Sequence, residues 1–170
     1  MPAGPSGAVK PIPEGYHTLT PGLAVKNAVE AIAWYQRALG ARELARMPSP
    51  DGKLITHAEL KLGDSILFLS DAMPGQTVAW PKGKEMPTVS LYMYVPDVDD
   101  TYRKAVGAGA TGLSAPADMF WGDRFAHLVD PYGHHWAIAT HKEDVSPAEM
   151  RKRGEAWAKE QAAKMKKKAE

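Results

Sequence analysis

The 170-residue chain contains no cysteine. That excludes disulfides, thiol nucleophiles and cysteine-ligated zinc, and says little about compartment. No apolar run approaches the ~18 residues that a membrane helix needs, so no membrane is expected as a partner. The opening stretch, 1–15, is rich in Pro and Gly and lacks the apolar core of a signal peptide, so a cytoplasmic location is expected. There is no Gly-x-Ser-x-Gly nucleophile motif and no phosphate-binding loop. Gly107-Ala108-Gly109 closes a helical pattern instead of opening one, which argues against a dinucleotide site.

A large charge excess is also missing: the net charge is +1. It is unevenly spread, because the segment 146–170 holds eight Lys/Arg against four Glu and is +4, leaving −3 for the rest. Trp157 is the one aromatic in that basic segment, and the body offers no basic face. A solvated helix is therefore favoured over a nucleic-acid arm, and no nucleic acid is expected as a partner. An interaction protein using this helix is the remaining alternative.

What is present is a pattern that occurs twice. Residues 16–25 alternate weakly as a strand, with Pro21-Gly22 as a possible bulge. Asn27 is placed to cap a helix over 28–39 that Gly40 ends. Strands follow over 41–47, 54–62 and 65–70, the last two joined by Gly63-Asp64. After an irregular stretch the order returns: a strand over 89–95, a helix over 100–106 capped by Asp97 or Asp99, and strands over 110–117, 124–129 and 135–141. Val25-Lys26-Asn27 aligns with Val95-Pro96-Asp97, and Gly40-Ala41 with Gly109-Ala110. Both halves read as βαβββ, a duplicated module. The expected divisions are an N-terminal arm over 1–15, a first module over 16–72, a linker over 73–88, a second module over 89–145 and a basic helix over 146–170. Ser146-Pro147-Ala148-Glu149 opens that helix as a capping box with Pro at the first helical position.

The final hairpin turns on Asp130-Pro131-Tyr132-Gly133, where Pro131 presets φ and Gly133 tolerates a positive φ. Alternation in the last strand sends Trp136, Ile138 and Thr140 to one face and His135, Ala137, Ala139 and His141 to the other. The small residues in the second set leave room for a ligand.

Tandem βαβββ modules, the strand–Asn/Asp–helix–Gly-Ala openings and the Asp130-Pro131-Tyr132-Gly133 hairpin resemble the vicinal oxygen chelate superfamily. Trp121-Gly122-Asp123-Arg124 and the segment 139–146 place the resemblance in its PhnB-like, glyoxalase/bleomycin-resistance branch. It implies an α+β fold of two modules that form a curved mixed sheet with a cleft, plus here a C-terminal helix, usually as a homodimer. It also implies four metal-ligand positions in the metal-dependent members. They fall on Thr20, Phe68, Ser90 and Ala137 in this chain. Two hydroxyls, a phenyl ring and a methyl do not make a divalent-ion site, so no metal and no cofactor is expected.

The expected ligand-binding residues are Phe68, Tyr92, Tyr94, Trp121, Arg124 and His135. The rings would hold a small aromatic or amphipathic ligand in the inter-module cleft, and Arg124 would pair with an anionic group on it. Two alternatives stay open: Phe68 fills the space and the cleft is closed, and Asp123 pairs with Arg124. No catalytic residue is assigned. A competing expectation is a metal-dependent lyase or dioxygenase of the same fold that uses His57, His127 or His135.

Overall fold

The computed structural model describes residues 9–73, 75, 78–81 and 87–169, with side chains to 166. The expected arm and linker therefore fall partly outside the described residues. The chain divides into two units, Met1–Pro81 and Lys82–Glu170. Each holds one βαβββ module, with the strands in a four-stranded mixed sheet of its own.

The first unit contains β1 (Gly22–Val25), α1 (Ala28–Leu39), β2 (Arg42–Pro48), β3 (Ile55–Leu62) and β4 (Ser65–Asp71), in sheet order β1-β4-β3-β2. β1 runs parallel to β4, and the other pairs are antiparallel. Helix α1 buries Ala28, Ala31, Ile32, Trp34, Tyr35 and Ala38 against Ala58, Leu60, Leu67 and Leu69. Asn27 caps it by accepting the Glu30 N–H, and Gly40 ends it with φ of 70°.

The second unit contains β5 (Ser90–Tyr94), α2 (Val98–Gly107), β6 (Thr111–Asp118), β7 (Asp123–Val129), β8 (His135–His141) and α3 (Pro147–Ala169). Its sheet order, β5-β8-β7-β6, repeats that of the first unit, with β5 parallel to β8. Asp97 caps α2 through the Asp100 N–H. A parallel device recurs at both helix starts. The first N–H of α1, on Ala28, donates to Asp71 Oδ1 at 2.8 Å, and that of α2, on Val98, donates to Thr140 Oγ1 at 2.8 Å. In each unit the last strand thus satisfies a helix N-terminus that would otherwise be orphaned.

The strand expected over 16–25 is cut to its last four residues. Pro21 has no N–H to give a ladder, although its carbonyl still accepts the Phe68 N–H at 2.9 Å. Tyr16 instead lies in a turn held by its N–H on the Pro13 carbonyl. Other boundaries move by one or two residues. The turn at Asp130 forms as expected: the Gly133 N–H donates to the Asp130 carbonyl, Gly133 has φ of 91°, and Asp130 Oδ1 accepts the N–H groups of Tyr132 and His134. Asp130 Oδ2 accepts Trp136 Nε1–H at 2.9 Å in a buried bond that fixes the start of β8.

Helix α3 starts as the capping box predicts, with the Glu149 N–H on Ser146 Oγ. Its first turns are tied down by Arg153, which binds Glu143 with both terminal nitrogens, and by Trp157, whose ring lies 5.6 Å from that of Phe120. Gly154 is in the same contact: a Cβ there would meet the Phe120 ring at 3.3 Å.

Candidate functional site

In the first unit, alternation puts Gly22, Phe68, Ser70, His57 and Glu59 on the sheet face turned away from α1. Glu59, Phe68 and Gly22 form a single row across β3, β4 and β1. With no side chain at Gly22, the space beside the Phe68 ring stays open; a Cβ there would sit 3.8 Å from Phe68 Cβ. Two cavities open along this ring. One, of about 460 Å³, is lined by Gly22, Leu23, Phe68, Ser70, His57 and Val78 among others. The other, of about 430 Å³, is lined by Pro11, Ile12, Tyr16, Thr20, Glu59 and again Phe68.

Phe68 meets the ring of His57 edge-on at 4.8 Å and that of Tyr16 at 6.1 Å. Glu59 ties these residues together. Its Oε1 lies 3.2 Å from His57 Nε2, and its Oε2 accepts the Tyr16 hydroxyl. The phenol hydrogen bond holds the Glu59 carboxyl below the usual range against the upward push of burial, and His57 adds to the lowering.

In the second unit, β5, β8 and β7 align a second set on the face away from α2. Tyr92 and His127 flank Ala137, and Tyr94 and Phe125 flank Ala139. These neighbours take the room expected above the two alanines, which are only 7% and 0% exposed. The small residues of β8 are therefore the floor under a layer of rings and not the wall of an empty cleft.

Asp123 organises that layer. It is 3% exposed, and its Oδ2 accepts from the Tyr92 hydroxyl at 3.0 Å, the Tyr94 hydroxyl at 2.9 Å and Trp121 Nε1 at 3.1 Å. Its Oδ1 binds His141 Nδ1 at 2.8 Å, and His141 Nε2 reaches Asp144 at 3.0 Å. Burial pushes the Asp123 carboxyl up, but the bonds from His141, Tyr94, Tyr92 and Trp121 outweigh it and hold the group below the ordinary carboxylate range. Asp123, and after it Asp144, raises the imidazole of His141. Burial, followed by the Asp123 bond, raises the Tyr92 phenol; for Tyr94 the Asp123 bond comes first.

The expected site residues are therefore not one set. Tyr92, Tyr94 and Trp121 converge on Asp123. His135 shares their sheet face, its ring 5.4 Å from that of His127. Phe68 belongs to the first unit and to its cavities. Arg124 stands apart: next to Asp123 on a strand, it projects to the α2 side. There it binds both oxygens of Asp99 at 2.6 and 2.8 Å and Asp118 at 3.1 Å. Asp123 and Arg124 do not pair with one another, because consecutive strand residues face opposite ways. Sequence reasoning missed Glu59 and Tyr16. The His57–Glu59 spacing of two, with Ala58 and Leu60 alternating inward, was the available signal for Glu59.

The four implied metal positions offer poor donor atoms. Phe68 fills its position with a ring, and Ala137 presents a methyl between Tyr92 and His127. Thr20 precedes β1, and the Ser90 hydroxyl lies 3.5 Å from the His135 carbonyl. These residues do not fit a divalent ion. Among the described residues no group of three or more His, Asp or Glu is arranged to hold one.

The model of the Glyoxalase/Bleomycin resistance protein/Dioxygenase superfamily matches residues 16–138. The chain belongs to that superfamily. An uncharacterized protein of Mycobacterium tuberculosis is 38% identical over 135 residues, spanning 78% of this chain and 79% of that one. Among solved structures, TioX from Micromonospora sp. ML1 is 27% identical with a TM-score of 0.58, covering 72% of this chain and 97% of TioX. A Bacillus cereus structure described as a putative 3-demethylubiquinone-9 3-methyltransferase, PhnB protein, has a TM-score of 0.57 over 73% of this chain and 99% of its own. At 18% identity it speaks for the fold alone. PhnB-like and glyoxalase-family structures are thus both among its neighbours.

Proposed function

We propose that this chain is a small-molecule-binding member of its superfamily that works without a divalent metal at the family positions. Its ligand is an aromatic or amphipathic molecule, and the protein acts as a cytoplasmic homodimer. The observation that carries this reading is Phe68. It stands at an implied metal position, carries no donor atom, and lines two cavities of a size suited to a small ligand, within the roughly 300–1,000 Å³ typical of such sites. The rings gathered around Asp123, with Tyr92 and Tyr94 49% and 62% exposed, support an aromatic-binding surface on the second unit as well.

Thermal-shift screening of the untagged full chain with planar aromatic acids and amphipathic antibiotics tests the reading. A hit should raise Tm in a concentration-dependent way and should weaken on Phe68→Ala. No shift across such a panel would refute it.

A second reading, a metal-dependent lyase or dioxygenase, draws on one pair. His127 Nε2 and His135 Nδ1 are buried with no hydrogen-bond partner, on imidazoles 5.4 Å apart. Burial, then the neighbouring His135, pushes His127 toward its neutral form, the state that binds metals. Elemental analysis separates the two readings. Stoichiometric metal that is lost on His127→Ala or His135→Ala favours the enzyme.

A further inference from the structure

The first unit contains a built hydrogen-bonding relay beside its cavities, and this relay specifies more about the ligand than its shape. We propose that the cavity of about 460 Å³ binds a hydroxylated aromatic, a phenol or a comparably weak ring acid, and that His57 accepts the proton-bearing hydroxyl of that ligand. The inference rests on the small-molecule reading above and assigns it a place and a chemistry.

Three observations lead to it. The first concerns the tautomer. An ionised carboxylate only accepts hydrogen bonds, so Glu59 takes a proton-bearing Nε2 from His57. A neutral His57 then keeps Nδ1 as its acceptor. The Tyr16 hydroxyl holds the other oxygen of Glu59, so the carboxylate is fixed from both ends and remains charged. A relay of this form fixes the tautomer and the orientation of an imidazole.

The second observation concerns the complement around His57. Among the described residues, the polar lining of the cavity besides His57 is Thr56 and Ser70. Thr56 is already used, since its hydroxyl donates to the Met47 carbonyl at 2.9 Å. Ser70 adds a hydroxyl to the lining. One acceptor and one hydroxyl, with no cationic side chain among the described lining residues, suit a neutral hydroxyl group better than a carboxylate or a phosphate.

The third observation is the apolar part of the lining. Leu23, Val78 and Phe68 supply it, and the missing side chain at Gly22 keeps a slot open beside the Phe68 ring. A flat ring fits such a slot edge-on or offset from Phe68.

The test uses the full chain and 4-nitrophenol, whose visible spectrum reports whether its hydroxyl has given up its proton. The methyl ether 4-nitroanisole, which has the same ring and no donor, is the control. Saturable binding of the phenol with a spectral shift toward the neutral phenol is expected, with the ether about tenfold weaker. His57→Ala should weaken the phenol about tenfold and leave the ether unchanged. Glu59→Gln should reduce the spectral shift more than it reduces binding. Gly22→Val, at a position without a positive φ, should plug the slot and weaken phenol and ether alike. Circular dichroism melts identify variants that fail to fold, and His57→Gln then replaces His57→Ala. Equal binding of phenol and ether, or an unchanged phenol affinity in His57→Ala and in the Gly22→Val plug, overturns the inference. If planar ligands bind but are lost only on Trp121→Leu or Tyr92→Leu, this inference falls while the small-molecule reading stands. If no planar ligand binds at all, both fall.

Discussion

His141 donates from Nδ1 to Asp123 Oδ1 at 2.8 Å, joining the end of β8 to the start of β7. The acceptor is nearly buried, whereas the donor's side chain is half exposed at 52%. One charge pair thus closes the edge of the hairpin on the outside and anchors three aromatic donors on the inside.

Asp123→Asn should be costly. The amide keeps one acceptor but places a second donor against the ring of His141 or against the three donors on the other oxygen. Disturbing a buried network of this kind typically costs about 1–3 kcal/mol. Urea unfolding should show a lower midpoint at unchanged slope, and Trp121 emission should shift. A loss within about 0.5 kcal/mol, the level of an ordinary surface change, would argue against Asp123 as the hub.

The pair also dictates how stability varies with pH. Asp123 has its folded pKa depressed, so its contribution is present above the unfolded value of about 3.9 and fades as pH falls through the folded value. His141 has its folded pKa raised. Its contribution is complete below the unfolded value of about 6.5 and fades as pH rises through the folded one. The two together predict greatest benefit between those unfolded values. In denaturation series across pH, His141→Gln should flatten the decline on the alkaline side and also reduce the acid limb, because the His141 bond leads those that lower Asp123. An unchanged alkaline limb would count against the pairing.

At Gly122 an added Cβ would run into backbone before any side chain. Its φ is 97°, and an added Cβ would lie 2.2 Å from the backbone oxygen of Glu143. The Gly122 carbonyl meanwhile accepts the N–H groups of Lys142 and Glu143. Gly122→Ala must therefore move backbone and adopt an unfavourable φ, at a cost of at least about 1–3 kcal/mol. Calorimetry should find a Tm lower by several degrees. A wild-type Tm would show that the loop relaxes freely.

Trp136→Phe removes one buried hydrogen bond. It keeps a smaller buried ring and loses the Nε1–H that Asp130 Oδ2 accepts. A buried charged acceptor left one partner short should cost about 1.5–3 kcal/mol. Hydrogen exchange should rise at Tyr132 and His134, whose N–H groups share the same carboxylate. Unchanged protection there would mean the turn holds without the tryptophan.

The amino-acid sequence by itself determined the modules. Helix starts at Asn27, Asp97 and Ser146, the stop at Gly40 and the turn at Asp130 are local: each needs only a side chain within a few residues of the backbone it satisfies. Strand faces were equally legible, because alternation is a property of one strand; it also tells against a pairing of Asp123 with Arg124. Which faces would be filled was not. Ala137 and Ala139 suggest room, yet Tyr92, Tyr94, Phe125 and His127 come from two other strands to cover them. The same holds for the hub. Asp123 gathers partners 31, 29 and 18 residues away, and Glu59 reaches Tyr16 across 43. Only the sheet register brings such residues together, and register is set by the summed pairing of whole strands, not by any one residue in them.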